Sequence, residues 1–387
     1  MKRILRYSVR GILVLLVVAA ALAFWKRDEI RRLLAVNSLF RQEKIVNNFS
    51  HMDTMFLSRP LPIGSGPVSE LAKGNPISLP DETTDWIRNR AVTGLVILKD
   101  GKIVAERYFQ GTAPDDLRIS WSVAKSYLSA LFGILLAEGS IASLDDPVTK
   151  YAPLLKNSAY DGATIRNVLN MASGVEFDED YLDYNSDINR MGRILALGGS
   201  MDDFAAGITD RSGPPGKTWK YVSIDTHVIG MVIRGAAGRP IPELMEEKLL
   251  IPMGLEKAPY YLTDGRGVAF VLGGLNMTTR DYARLGQMFL NNGRWNGRQI
   301  VPEQWVLEST RASAPTRPGK IGYGYQWWVP AGGAGGEFMA RGIYGQYIYV
   351  NRPQAVVIAV NSADRNFREP GVADRNIAMF RLVANSL

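Results

Sequence analysis

Apolar and polar positions divide the chain into a few recognisable patterns. Gly11 to Trp25, "GILVLLVVAAALAFW", is an uncharged run with basic residues before it and a second charged flank after it. Its fifteen residues fall between a signal-peptide core and the roughly 20 residues of a membrane-crossing helix. Residues 34 to 90 contain scattered Pro and Gly, as in "SRPLPIGSGPVSELAKGNPISLP", and predict an extended lead-in. "VTGLVILKDGKIVAERYF" follows as two β-rich runs joined by Lys99-Asp100-Gly101-Lys102, a hairpin signal. "SVAKSYLSALFGILLAEG" then predicts a helix from Ser122 that Gly139 stops. From about Ala142 to Gly322 the apolar spacing is mostly helical, and the end of the chain returns to β-rich runs, "YGYQWWVP", "GIYGQYIYVN" and "AVVIAVNSA". A last helix is predicted from about Val372 to Asn385. Strands at both ends with helices between predict an α/β (α+β) fold, an antiparallel sheet flanked by helices with a mostly helical insertion. The expected units are a membrane segment over 1–33, the lead-in over 34–90 and a main domain over 91–387.

Charge refines the reading of the N-terminus. The chain carries a net charge of +7, but residues 1–32 hold eight Lys and Arg against two acidic residues, so the rest is almost neutral. That distribution argues against a nucleic-acid partner and for a membrane-flanking basic segment. Ala21-Leu22-Ala23 fits a signal-peptidase site, whereas bulky Phe24 and Trp25 fit an interfacial anchor. The reading taken is an uncleaved, single-pass anchor in the inner (cytoplasmic) membrane, with the main domain on the periplasmic side. Hydrophobic residues make up 46% of the 387, ample for a packed core, and there is no cysteine, which excludes disulfides and a thiolate nucleophile.

Candidate chemistry is narrowed by scarcity. Only His51 and His227 are present; His227 lies in an apolar stretch, where a satisfied core histidine is the reading. No histidine pair suits zinc, and no Gly-rich phosphate loop precedes a helix, so neither a metal nor a nucleotide cofactor is expected. A serine hydroxyl needs an adjacent base, and without histidine the bases are lysine or tyrosine. Ser122 and Lys125, three apart at a helix start, share a face, and the first turn leaves backbone donors free for a developing oxyanion. A serine there is also a common helix cap, so spacing alone leaves both readings open. Lys125 is the only charge between Ser122 and Glu138, which is unlike a solvated helix face. Tyr221 and Ser223 in "KYVSIDTH" form a second candidate, and Gly342 and Gly345 in "MARGIYGQYIYV" a third, implying close backbone approach at a strand.

Taken in order, "SWSVAKS", "YVS" and "ARGI" resemble the three motifs of the serine β-lactamase and penicillin-binding-protein superfamily, in its class C-like esterase branch. Within that branch the chain is most similar to the 6-aminohexanoate-dimer hydrolase group and related carboxylesterases. "ATIRNVLNMASGVEFDEDY", "GGLNMTTRDYARLGQMFLNNGRWNGRQIVP" and "GYGYQWW" add to the likeness, which covers roughly residues 90 to 385. The resemblance implies a β-lactamase/transpeptidase-like fold, Ser122 as acylated nucleophile, Lys125 as its proton partner and Tyr221 as general base. It also implies that the Ile343 amide, between Gly342 and Tyr344, joins that of Ser122 in an oxyanion hole. Ser223 stands where β-lactamases carry an asparagine, and Ala340-Arg341-Gly342 replaces Lys-Thr-Gly, which puts β-lactam hydrolysis in doubt unless Arg341 substitutes. From "DEDY", Asp178 or Asp180 is expected to line the pocket. The function implied is a membrane-anchored serine hydrolase for a small-molecule ester or amide. The rivals are a β-lactamase or D,D-peptidase acting on cell wall, and a non-catalytic tethered sensor. Whether Tyr221 or Lys125 is the base stays open.

Overall fold

A computed structural model describes residues 2–64, 66–333 and 335–387. Thirteen strands are described: β1 (Ser58–Pro60), β2 (Val92–Lys99), β3 (Lys102–Tyr108), β4 (Arg118–Ile119), β5 (Tyr260–Leu262), β6 (Leu275–Met277), β7 (Arg294–Trp295), β8 (Arg298–Gln299), β9 (Gly322–Tyr323), β10 (Trp328–Val329), β11 (Glu337–Gly342), β12 (Gln346–Asn351) and β13 (Val356–Ser362). The main antiparallel sheet runs β3-β2-β13-β12-β11-β10-β9, so the two ends of the main domain meet at β2 and β13 as the pattern predicts. The β2–β3 turn has positive φ at both Asp100 (49°) and Gly101 (76°), the geometry that Asp-Gly favours in a tight hairpin.

Alternation explains why the sheet sits between layers. Leu95, Ile97, Tyr347, Tyr349, Ile358 and Val360 face the final helix, Val372–Asn385, and the helix Glu82–Asn89. Val96, Leu98, Ile348, Val350, Val357 and Ala359 face the main core on the other side. There the helix Thr279–Leu290 lies directly on the strands. A Cβ on Gly286 would come within 2.6 Å of Val357 and 2.7 Å of Ile348, so this helix can approach so closely only with glycine at that place.

Residues 34–90 depart from the extended reading. They include the end of a helix over Arg27–Asn37, short helices at Ile45–Asn48 and Glu82–Asn89, and β1, which pairs with β5 in a second sheet ordered β1-β5-β6-β4. Leu39, Ile45, Phe49, Met52 and Leu61 are buried in the main core. Their irregular spacing hid them: each is held by tertiary packing and not by a repeating helical stripe. Before them, Lys2–Trp25 forms one helix, of which Tyr7–Trp25 is long and apolar enough to cross a membrane.

Candidate active site

The "SWSVAKS" segment enters the core from β4. Ser120 is pinned by its amide donating to the Leu275 carbonyl at 2.8 Å. Trp121 then takes φ of 43°, a conformation that a bulky residue adopts only at a cost of about 1–3 kcal/mol. Its ring is packed among Phe40, Phe49 and Tyr344, which holds the turn in place. Ser122 follows in a single 3-10 turn, and the helix Ala124–Ala137 carries Lys125 inward. That helix is buried on nearly every side, and its polar Ser126 and Ser129 hydroxyls donate to the carbonyls of Gln326 and Tyr325 in the "GYGYQWW" loop. Two buried hydrogen bonds therefore fix this loop against the helix that carries Lys125.

Lys125 is only 1% exposed. Its Nζ donates to the Leu272 carbonyl at 3.0 Å and lies 5.6 Å from the centre of the Tyr221 ring. Burial lowers its pKa to about 7, although the Glu179 and Asp225 carboxyls nearby favour the ammonium. Tyr221 moves the other way. Burial raises its pKa first, the Glu179 charge adds to this, and the neighbouring Ser122 hydroxyl and Arg341 guanidinium oppose it. The ring of Tyr221 stacks on Trp328 at 5.3 Å, and Arg341 covers the same indole at 5.3 Å. Arg341 therefore faces the Tyr221 side of the site.

The end of β11 closes against the serine turn. A Cβ on Gly342 would stand 2.7 Å from the Ser120 carbonyl oxygen and 3.1 Å from the Ser122 amide nitrogen. The strand reaches the serine backbone only because residue 342 has no side chain. Ile343 and Tyr344 form the turn into β12, with Tyr344 at φ 58° and its ring stacked on Phe40 at 4.6 Å.

Two cavities meet at Ser122, both lined by Tyr181 and Ile343 as well. One, about 280 Å³, is walled by apolar side chains including Phe40, Trp121, Leu195, Phe270 and Leu272. The other, about 440 Å³, holds Glu179, Tyr221, Trp328, Arg341, Arg368 and Asp374. Together they expose the Ser122 hydroxyl and the Tyr221 phenol, with apolar space on one side and charged space on the other, while Lys125 lines neither cavity and lies buried beside the Tyr221 ring.

Residues 84–381 match the Beta-lactamase family model. The chain belongs to the beta-lactamase family. It is 29% identical over 282 residues to a 6-aminohexanoate-dimer hydrolase of Paenarthrobacter ureafaciens, covering 69% of this chain and 71% of that one. In fold it is similar to a Bacillus anthracis protein described as a 6-aminohexanoate-dimer hydrolase, with a TM-score of 0.78 and 24% identity over 90% of this chain and 95% of the other. It is also similar in fold to the octameric penicillin-binding protein homologue of Pyrococcus abyssi, with a TM-score of 0.59 and 20% identity over 78% and 76% of the two chains. The family match and the curated relative support a hydrolase, and the two solved structures share the fold of this chain.

Of the residues singled out by the motifs, Ser122, Tyr221, Gly342 and Ile343 line the charged cavity together, and Lys125 lies beside the Tyr221 ring. Ser223 opens the helix Ser223–Ala237 and lines the apolar cavity. Asp178 and Asp180 do not enter either cavity. Asp178 is exposed and accepts from the Asp180 amide, while Asp180 pairs with Arg368 at 2.8 Å. Glu179 between them points inward instead. It accepts from the Ser223 amide, from the Ser223 hydroxyl at 3.1 Å and from the Tyr181 hydroxyl at 2.8 Å, and burial raises its pKa. Side chains alternate along an extended segment, so choosing the two aspartates selected the wrong face. Asp225 also escaped the sequence reading. It is fully buried, accepts from Tyr160 at 2.7 Å, and burial pushes its pKa up to about 8. His227 is a core histidine paired with Asp202 at 2.7 Å.

Proposed function

We propose that the protein is a serine hydrolase that cleaves a carboxylic ester or amide through an acyl-enzyme on Ser122. The observation that carries this reading is the buried Lys125, whose pKa is lowered by burial and whose amine lies beside Tyr221, itself next to the Ser122 hydroxyl. Because burial holds the phenol protonated, neutral Lys125 is the resting base. Tyr221 relays: it passes its proton to Lys125 as it takes one from Ser122, so no free phenolate accumulates.

Ser122 Oγ then bonds to the substrate carbonyl carbon, and the electron pair of that carbonyl moves onto its oxygen. The amides of Ser122 and Ile343 hold this oxyanion. Collapse breaks the bond to the leaving alcohol or amine, which receives the proton back from Tyr221. Water attacks the acyl-enzyme by the same route and regenerates Ser122.

The helix Tyr7–Trp25 anchors the chain in the inner membrane as a single pass. Basic residues before it keep the N-terminus cytoplasmic and place the hydrolase domain on the periplasmic side. Replacing Ser122 by Ala is expected to abolish turnover of a chromogenic ester while leaving the melting temperature unchanged. Retained hydrolysis in that variant contradicts the reading.

One observation favours a second reading. Arg341 on the Tyr221 side supplies a cation where a β-lactam or D-amino-acid carboxylate would need one. Stable covalent labelling of Ser122 by penicillin supports that reading over a general ester or amide substrate.

A further inference from the structure

The two cavities at Ser122 differ in chemistry, and the proton path decides which part of the substrate each receives. A leaving group must take its proton from Tyr221, and Tyr221 lines only the charged cavity of the pair. The leaving alcohol or amine therefore occupies the side of Arg341, Glu179 and Asp374. The acyl group is left with the apolar side. Resting on the hydrolase reading above, we infer that the acyl pocket is built for a linear hydrocarbon chain, and that the substrate is an amphiphile: a medium-chain acyl ester or amide of a polar, charged head group.

Four further observations support this. The cavity of about 280 Å³ accommodates roughly nine heavy atoms if each takes about the ~30 Å³ of a liquid water molecule. One wall is the helix Asp187–Ala196, where Gly192 lines the cavity and a Cβ on it would meet nothing within 4 Å. Glycine in a helix interior costs about 1 kcal/mol against alanine, so a small residue here keeps space open at the expense of the helix. A second wall comes from the helix Arg27–Asn37, through Val36. That helix begins two residues after the membrane-length apolar segment ends at Trp25, and Val36 lies eleven residues beyond Trp25, at most roughly 17 Å along a helix. The exposed residues at the mouth of the cavity are Leu182, 87% exposed, and Tyr184, 60% exposed, with the Arg193 guanidinium over the Tyr184 ring and Asn37 beside them. An acyl chain leaving a bilayer would meet such a mouth close to the membrane surface.

The test uses the full chain in neutral phosphatidylcholine vesicles and compares kcat/KM for p-nitrophenyl acetate and p-nitrophenyl octanoate. The wild type is expected to favour octanoate by at least about tenfold, a small part of what full burial of the added methylenes supplies. Gly192→Phe, which fills the cavity, is expected to bring the octanoate-to-acetate ratio close to one. Leu182→Asp, at an 87% exposed position where a substitution costs little stability, is expected to reduce the ratio about threefold. An equal or acetate-preferring wild type overturns the acyl-chain inference while leaving the hydrolase reading intact, as does a ratio that neither variant changes. Failure of wild type to turn over either ester, with no acyl adduct, removes the hydrolase reading and this inference with it.

Discussion

Two buried cations lie on adjoining helices of the same core. Lys125 is 1% exposed, the side chain of Arg284 is 0% exposed, and the helices that carry them are joined by the Tyr127 hydroxyl donating to the Asp281 carbonyl. Arg284 is fully engaged: it pairs with Asp281 at 2.7 Å and Glu256 at 2.8 Å and donates to the Ser69 carbonyl, tying residues of the lead-in to the helix Thr279–Leu290. Lys125 donates to a backbone carbonyl and, among the described residues, forms no ion pair. Its nearest carboxyls, Glu179 and Asp225, are engaged with Ser223, Tyr181 and Tyr160 instead. On the proposed mechanism, the difference separates a charge placed for stability from one placed for chemistry. A guanidinium with matched anions ties elements of the core together, whereas burial of an amine without an ion pair lowers its pKa.

Substitution at each site should separate activity from stability. Replacing Lys125 by Met is expected to lower kcat/KM by about three orders of magnitude or more, since general-base assistance and activation of the nucleophile are lost together. Thermal stability should stay level or rise, because a buried amine without an ion pair has been removed. Circular dichroism melts beside ester kinetics check both halves.

Replacing Arg284 by Met should do the reverse. It strands Asp281 in the core and is expected to cost about 3 kcal/mol of stability or more in urea unfolding, with kcat of the folded fraction within a few-fold of wild type. A large loss of kcat with unchanged stability would break the comparison.

The pH dependence follows from the direction of the Lys125 shift. Its pKa falls from 10.5 to about 7 on folding, so the neutral amine forms as pH rises through about 7, and kcat/KM should rise across that range. For stability, the unfolded chain binds this proton between about pH 7 and 10.5 while the folded chain does not. The Lys125 contribution is therefore fully present above 10.5 and is lost as pH falls towards 7. In Lys125→Met this dependence should vanish, as read from melts across the range.

A smaller effect is expected from Glu179→Gln. The Glu179 charge raises the pKa of Lys125, so its removal should move the acid limb of kcat/KM below that of wild type, while kcat at high pH changes less than about tenfold. An unmoved limb would show that Glu179 positions Ser223 and Tyr181 without tuning the amine.

Much of this site could be read along the chain because it is local. Ser122 and Lys125 share one turn of backbone, and the hairpin at Asp100-Gly101 and the stop at Gly139 are set by conformations those residues favour. Other parts depend on contacts that no local pattern carries. Asp225 meets Tyr160 across 65 positions, and Phe40 reaches Tyr344 from a lead-in whose short helices have no apolar stripe. Glu179 lay within reach of sequence reasoning, since alternation along "DEDY" offers either the two aspartates or the glutamate to the pocket. Choosing between those faces required knowing where Ser223 stands.

On the proposed mechanism, the acyl group of the substrate is transferred to Ser122 with Lys125 as the resting base. The most direct test quenches full-length wild type in acid during turnover of p-nitrophenyl octanoate, then measures intact mass and maps the modified peptide, beside Ser122→Ala and Lys125→Met. The account requires one octanoyl group per chain on the Ser122 peptide of the wild type, none on Ser122→Ala, and little or none on Lys125→Met at pH 7. Turnover without an adduct on Ser122, or full acylation of Lys125→Met at the wild-type rate, contradicts it.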